Sequence, residues 1–425
     1  MLSPPRLRLA PRGEKLNGAR VLVSPPTFAV HPRGGGDVMT TFPALELAEQ
    51  QTIAVSPKRK AQRLQKPWPA GTRIVSADSH LIEGDYWVDG FPEALKDQAP
   101  RMTFRDGHFD FRLGDKPMTK PHIAEGLCEA MECTPGLSDI PARLKDLDAE
   151  GVEKELIFPQ RLFGLFMFGE MANREHVFGL YNEALARRCA EAPERLYPVM
   201  VPNYWNMAEA AASVERCAAL GARALMLPLS PGRNAAGEKI HYNAPEMDAL
   251  YGAAEAAGLP LAFHIGEAIP SAAPGAAGIS LITQMQGFRA QWGALTFGGV
   301  FDRFPRLKAV FVEAGLSWIP SMLHDADLAA THFANAMRPA LNHAPSWYWR
   351  AHCYATFMTD PTGLRLLEDI GPETALWSSD YPHQESTWGY TQSALQAVFD
   401  ATDVETAQKI VGKTALELFR MDEPL

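Results

Sequence analysis

From about residue 72 the chain alternates between two patterns. Short apolar runs, read as strands, lie near 73–78, 154–159, 196–202, 222–228, 259–264, 307–312, 352–357 and 374–379. Between most of them lie segments with helical spacing. Residues 175–190 place Val177, Leu180, Tyr181, Leu185 and Cys189 on one face. Residues 206–220 and 245–257 are alanine-rich, and the second stops at Gly258-Leu259-Pro260, a helix end leading into a strand. A further helix is predicted from Ile140 to Glu150. Eight strand-then-helix units predict an α/β fold, a distorted (β/α)8 TIM barrel over residues 71–425, with an open doubly wound sheet as the alternative.

One connection is long. The first strand is separated from the 140–150 helix by an insertion over about 84–136. Within it, Met102 to Leu113 alternates around Asp106-Gly107, a hairpin signal. Because the insertion follows the first strand of a barrel, it is expected to cap the mouth.

Composition changes the picture mainly at the N-terminus. Residues 1–70 read as a disordered or extended lead-in. The first 38 hold six Lys/Arg, two acidic residues and six prolines, and the next residue is Met39. A disordered extension explains this best, and it has no signal-peptide h-region. The whole chain has 425 residues, is 46% hydrophobic and carries a net charge of −10. That balance argues against nucleic-acid binding and against docking on an anionic membrane. No apolar run is long enough to span a membrane. The five cysteines, Cys128, Cys133, Cys189, Cys217 and Cys353, are scattered, which fits a reducing, cytoplasmic setting.

The chemistry is concentrated at strand ends, where a (β/α)8 barrel keeps its active site. The first strand delivers Asp78 and His80, two residues apart and aimed the same way, with Glu83 just beyond. The fifth delivers His264, the sixth Glu313 and the eighth Asp380. Two carboxylates and two imidazoles from such a set suit Zn²⁺, Mn²⁺ or Fe²⁺ better than Ca²⁺ or Mg²⁺. A single divalent ion, zinc first among these, would activate a water or polarise a substrate oxygen.

These passages, taken in order, resemble the amidohydrolase-related family. The branch concerned includes aminocarboxymuconate-semialdehyde decarboxylase and other aromatic-acid decarboxylases. The matching passages are Ala77-Asp78-Ser79-His80 with Glu83, Gly151 to Phe158 before Pro159, Leu261 to His264, and Gly298-Gly299-Val300-Phe301-Asp302-Arg303-Phe304-Pro305. Two more are Glu313-Ala314-Gly315 with Trp318, and Ser379-Asp380-Tyr381-Pro382-His383. The resemblance implies a distorted TIM barrel and one divalent metal. It implies Asp78, His80, His264 and Asp380 as ligands, Asp380 as the group handling the proton, and a homodimer. Two positions depart from the decarboxylase pattern. Asp78 replaces the first histidine of a His-x-His, and Glu313 replaces a catalytic histidine. A carboxylate at 313 would repel a substrate carboxylate, so hydrolysis of a small organic acid, ester, lactone or amide is the leading expectation, with Glu313 serving the water. Non-oxidative decarboxylation of an aromatic or muconate-type acid is the alternative, and a silent ligand-binding barrel the third reading.

Four further residues are candidates to touch a small-molecule substrate. Arg161 suits a carboxylate, His383 could face substrate or support Asp380, and Trp318 and Phe357, like Trp388, could wall a pocket. His241, His324, His332 and His343 lie away from strand ends and are read as bystanders. Gly412-Lys413-Thr414 resembles the end of a P-loop, but Ala407 stands where its first glycine belongs.

Overall fold

Eight of the apolar runs pair side by side, in chain order, as parallel strands. In this computed structural model the described residues are 67–423, apart from 85, 106–107, 115, 118–133, 161, 167–172, 268–278, 280–281, 284 and 384. The disordered extension expected over residues 1–38, and most of the 1–70 lead-in, fall outside them. Strand β1 (Val75–Leu81) opens the barrel. An excursion follows, with strands β2 (Pro100–Arg105), β3 (His108–Leu113) and β4 (Lys116–Pro117). The barrel resumes with β5 (Lys154–Pro159), β6 (Leu196–Met200), β7 (Ala224–Met226), β8 (Leu261–His264), β9 (Ala309–Val312), β10 (Cys353–Phe357) and β11 (Ala375–Trp377). The sheet order is β1-β5-β6-β7-β8-β9-β10-β11. Ser79 bridges Tyr381 in parallel, so the first and last strands meet. This is the predicted TIM barrel, and the open sheet is excluded.

Local chemistry explains the helices. Helix α1 (Ile140–Glu150) starts at Asp139, whose side chain accepts from the N–H of Ala142, and ends at Gly151 with φ of +75°. Helix α2 (Arg174–Cys189) packs its apolar stripe, Val177, Phe178, Tyr181 and Leu185, into the core. Helix α3 (Asp248–Ala257) ends at Gly258, again left-handed. The insertion forms the expected hairpin: β2 and β3 pair antiparallel from Pro100↔Leu113 to Arg105↔His108. Trp68 stacks on Phe399, with ring centroids 5.2 Å apart, and Gln408 donates to the carbonyl of Ala70.

Two features position the site. The β1–β5 register shifts between Ser76 and Ser79, a bulge at Ala77-Asp78. Bulges re-aim side chains beside active sites. Beneath it, Arg143 is fully buried and paired with Glu155 at 2.7 Å. Its guanidinium also donates to the carbonyls of His80 and Gly136, and lies over the Tyr381 ring.

Candidate metal centre

Barrel geometry brings the expected strand-end residues into one space. Donor atoms lie within 4.8 Å of one another in each of three trios. These are Asp78-His80-His264, His80-Asp380-His383 and Asp78-Glu313-Asp380. Asp78, His80 and Asp380 are completely buried, and His264 is 2% exposed. Nε2 of His80 stands 3.1 Å from Asp380 Oδ1 and 3.5 Å from Asp78 Oδ1. Nε2 of His264 is 3.3 Å from Asp78 Oδ1.

The opposite nitrogens decide what these contacts mean. Nδ1 of His80 donates to the carbonyl of Pro159 at 2.7 Å, and Nδ1 of His264 to that of Ile265 at 2.6 Å. A carbonyl only accepts, so each neutral ring carries its hydrogen on Nδ1 and turns the Nε2 lone pair toward carboxylate oxygens. Burial holds His80 below its ordinary pKa, assisted by the charge of His383 and opposed by the two aspartates. Asp78 Oδ2, His80 Nε2 and Asp380 Oδ1 are buried with no hydrogen-bond partner. Unmade bonds of this kind cost about 1–3 kcal/mol each, and more for charged groups. A cation between two imidazole lone pairs and two carboxylates removes all of these penalties together, so the donor set fits one divalent metal ion.

Backbone strain marks the same place. Glu313 and Asp380 both have φ of +55°, a left-handed conformation uncommon for non-glycine residues. Strand β10 enforces the turn at Glu313. Its Thr356 Oγ1 accepts from the Glu313 N–H at 2.7 Å, and the Thr356 carbonyl accepts from Ala314 and Gly315. The Glu313 carboxyl is 14% exposed, with Oε2 3.9 Å from His264 Nδ1. Burial pushes its pKa well up, and the charges of Asp380, Glu385 and Asp78 add to the shift.

His383 is the second partner of Asp380. Its Nδ1 is hydrogen-bonded with Asp380 Oδ2 at 3.1 Å, its Nε2 is 2.9 Å from Gln160 Oε1, and its ring stacks on His80 at 4.1 Å. Burial opposes the charged ring, but Asp380 outweighs it and pushes His383 up to about 9. Asp380 is held well below the usual carboxylate range; burial works against this, and His383 and His80 overcome it. Asp380 and Gln160 thus face the two ring nitrogens of His383.

The remaining candidates are placed differently. Arg161 lies outside the described residues. Trp318 is partly buried, its Nε1 donates to the Gly315 carbonyl, and its ring packs among Phe288, Phe311 and Trp349. Phe357 is buried in the core, and Trp388 packs edge-on to Tyr381. Among the described residues, His241, His324, His332 and His343 join no metal-capable group. The rings that do reach the centre are not among the sequence candidates. Phe163 lies 4.5 Å from His264 and 6.0 Å from His80, and Phe158 lies 5.0 and 6.4 Å from the same rings. Phe158 ends an apolar strand and could have been found by the strand-end rule. Phe163 and Gln160 carry no such signal.

The amidohydrolase family model matches residues 106–421. The chain belongs to the amidohydrolase family. An amidohydrolase from Mycobacterium avium subsp. paratuberculosis K-10 shares the fold with a TM-score of 0.70 at 17% identity, over 83% of this chain and 100% of its own. The 2,6-dihydroxybenzoate decarboxylase from Rhizobium matches at 0.60 and 18%, over 83% and 100%. A dihydroxybenzoic acid decarboxylase from Polaromonas sp. JS666, with bound manganese and the inhibitor 2-nitroresorcinol, matches at 0.61 and 16%, over 83% and 98%. No curated protein sequence matches the chain. Family and fold agree with the resemblance read from Asp78 to His383. The chain is thus an enzyme of this family, a hydrolase or a carboxy-lyase. Among the described residues, no helix is long and apolar enough to cross a membrane.

Proposed function

We propose that this protein is a metal-dependent, non-oxidative decarboxylase of an aromatic carboxylic acid. One observation carries the reading: the donor set of Asp78, His80, His264 and Asp380, in which an atom each of Asp78, His80 and Asp380 is buried without a partner, is flanked by the rings of Phe158 and Phe163. An aromatic acid whose oxygens reached a cation held by those donors would meet flat apolar partners. The decarboxylases of similar fold support the same direction, and they reverse the order of the two readings expected from sequence.

A divalent cation held by the four donors would offset their charge and polarise a substrate oxygen. Manganese is favoured by the Polaromonas enzyme, and zinc or iron(II) suits the same nitrogen and oxygen donors. The chain's own residues supply the rest. Pro159 and Ile265 carbonyls fix the tautomers of His80 and His264. Phe158 and Phe163 exclude water from one side. The resemblance assigns the proton to Asp380, and we extend that role to the Asp380–His383 pair. As the ring-to-carboxylate C–C bond breaks and CO2 leaves, the electron pair stays on the ring carbon and takes the proton from His383. Arg161, next to Gln160, remains the candidate to hold a substrate carboxylate.

Hydrolysis is the second reading, favoured by Glu313, a largely buried carboxyl at the end of β9. The test is a screen of phenolic carboxylates, simple esters and lactones with manganese-loaded protein, scoring CO2 against released acid. Decarboxylation is expected to survive Glu313→His. Acid released from esters, abolished by Glu313→Ala, with no CO2 from any carboxylate, would replace this reading by hydrolysis.

A further inference from the structure

Glu83 belongs to the Asp78-Ser79-His80 passage but joins none of the metal-capable trios. It is 4% exposed, and one oxygen, Oε1, accepts from two backbone N–H groups, Gln160 at 3.1 Å and Leu162 at 3.0 Å. These residues form the step from β5 into the short helix Leu162–Phe166. A single carboxylate oxygen therefore ties the loop after β5 to the loop after β1.

What the tethered step carries gives the contact its meaning. Gln160 Oε1 lies 2.9 Å from His383 Nε2. Phe163 lies over His264 and beside His80. Its ring also abuts Gly266, where an added Cβ would sit 3.4 Å away. Orienter and wall thus hang from the same two hydrogen bonds.

We propose that Glu83 is a positioning residue that sets the 160–163 step, so that Gln160 holds His383 and Phe163 closes over the imidazoles. The inference rests on the decarboxylase reading for the rate it affects, and on geometry alone for the tether. Both of these N–H groups go to one oxygen, and an amide oxygen can accept them in the same way. A group acting as acid or base could not be replaced in this way.

The experiment compares the full-length, manganese-loaded protein with Glu83→Gln and Glu83→Leu. It reads hydrogen exchange at residues 160–166, bound manganese and kcat. Glu83→Leu is expected to speed exchange and lower kcat by roughly 10- to 100-fold, the usual effect of a misplaced supporting group, while manganese stays bound. Glu83→Gln is expected to keep most of the exchange protection and the rate. Unchanged exchange in Glu83→Leu, or an equal loss of rate in both variants, overturns the proposal. Exchange needs no substrate, so a parent enzyme that releases no CO2 counts against the decarboxylase reading, and the exchange data still decide the role of Glu83. Should Glu83→Leu not fold, Gln160→Leu tests the next link: a lower kcat supports it, and an unchanged one refutes it.

Discussion

Nε2 of His80 and Oδ1 of Asp380 face each other across the closing seam of the barrel, 3.1 Å apart, and neither makes a hydrogen bond. Two lone-pair-bearing atoms are held this close only because their strands are locked. The His80 N–H donates to the Tyr381 carbonyl, and the Asp380 N–H donates to that of Asp78. The barrel thus supplies the energy that keeps the pair pointed at a common centre.

Metal binding should relieve this opposition, so the ion should stabilise the fold. With free manganese near 100 times its dissociation constant, the gain is about 2.7 kcal/mol. In Asp380→Asn and Asp78→Asn the manganese-dependent rise in Tm should shrink sharply, and affinity should fall by at least about 10- to 100-fold. Calorimetric titration and thermal melts check both. An unchanged affinity in Asp380→Asn would remove it from the ligand set.

The buried pair beneath the site makes a separate prediction. Arg143 holds Glu155, the His80 carbonyl and the Gly136 carbonyl while carrying no chemistry. Breaking a buried pair by removing one partner costs about 3–5 kcal/mol, because the other charge stays buried. Glu155→Leu should lower the urea midpoint strongly. Arg143→Met combined with Glu155→Leu should recover part of that loss, though not the hydrogen bond to the His80 carbonyl.

These two cases show what the amino-acid order makes legible. Asp78, His80, His264, Glu313 and Asp380 could be placed because each follows a run apolar enough to be a barrel strand, and barrel topology then brings strand ends together. The bulge at Ala77-Asp78 could not, because it depends on the register against β5. Nor could the carbonyls of Pro159 and Ile265, since any residue supplies a carbonyl. Glu83 stands out by its type alone, while the backbone N–H groups it accepts from lie some eighty positions away. Phe163 sits on a short helix whose place over His264 is set by that contact.

Glu267 gives a pH prediction. Burial pushes its carboxyl up to about 7, although the N–H groups of Leu229 and Ser230 and the nearby His264 favour the charged form. The folded pKa lies above the ordinary 4.5, so the native state holds the proton more tightly. Its stabilising effect is complete below about pH 4.5 and is lost as pH rises through about 7. Urea midpoints across that window should fall less steeply in Glu267→Gln than in the parent. Parallel curves would show that the group titrates normally.

Phe163 provides a test of substrate class that leaves the metal untouched. Its ring, 4.5 Å from His264 and 8% exposed, lies nearer that imidazole than the ring of Phe158 does. Phe163→Ala removes that surface without altering a ligand, so bound manganese should be unchanged. Stacking contacts are worth about 0.5–1.5 kcal/mol beyond the area they bury, so KM for an aromatic acid should rise roughly 10-fold or more. Phe163→Leu fills part of the space without offering a ring, so it should restore packing and leave KM raised. If Phe163→Leu instead recovers the parent KM, the ring acts only as filler, and of the two rings beside the imidazoles Phe158 alone would favour an aromatic substrate. Manganese analysis beside the kinetics separates this from a collapse of the centre, since a shifted ligand lowers metal content as well as rate.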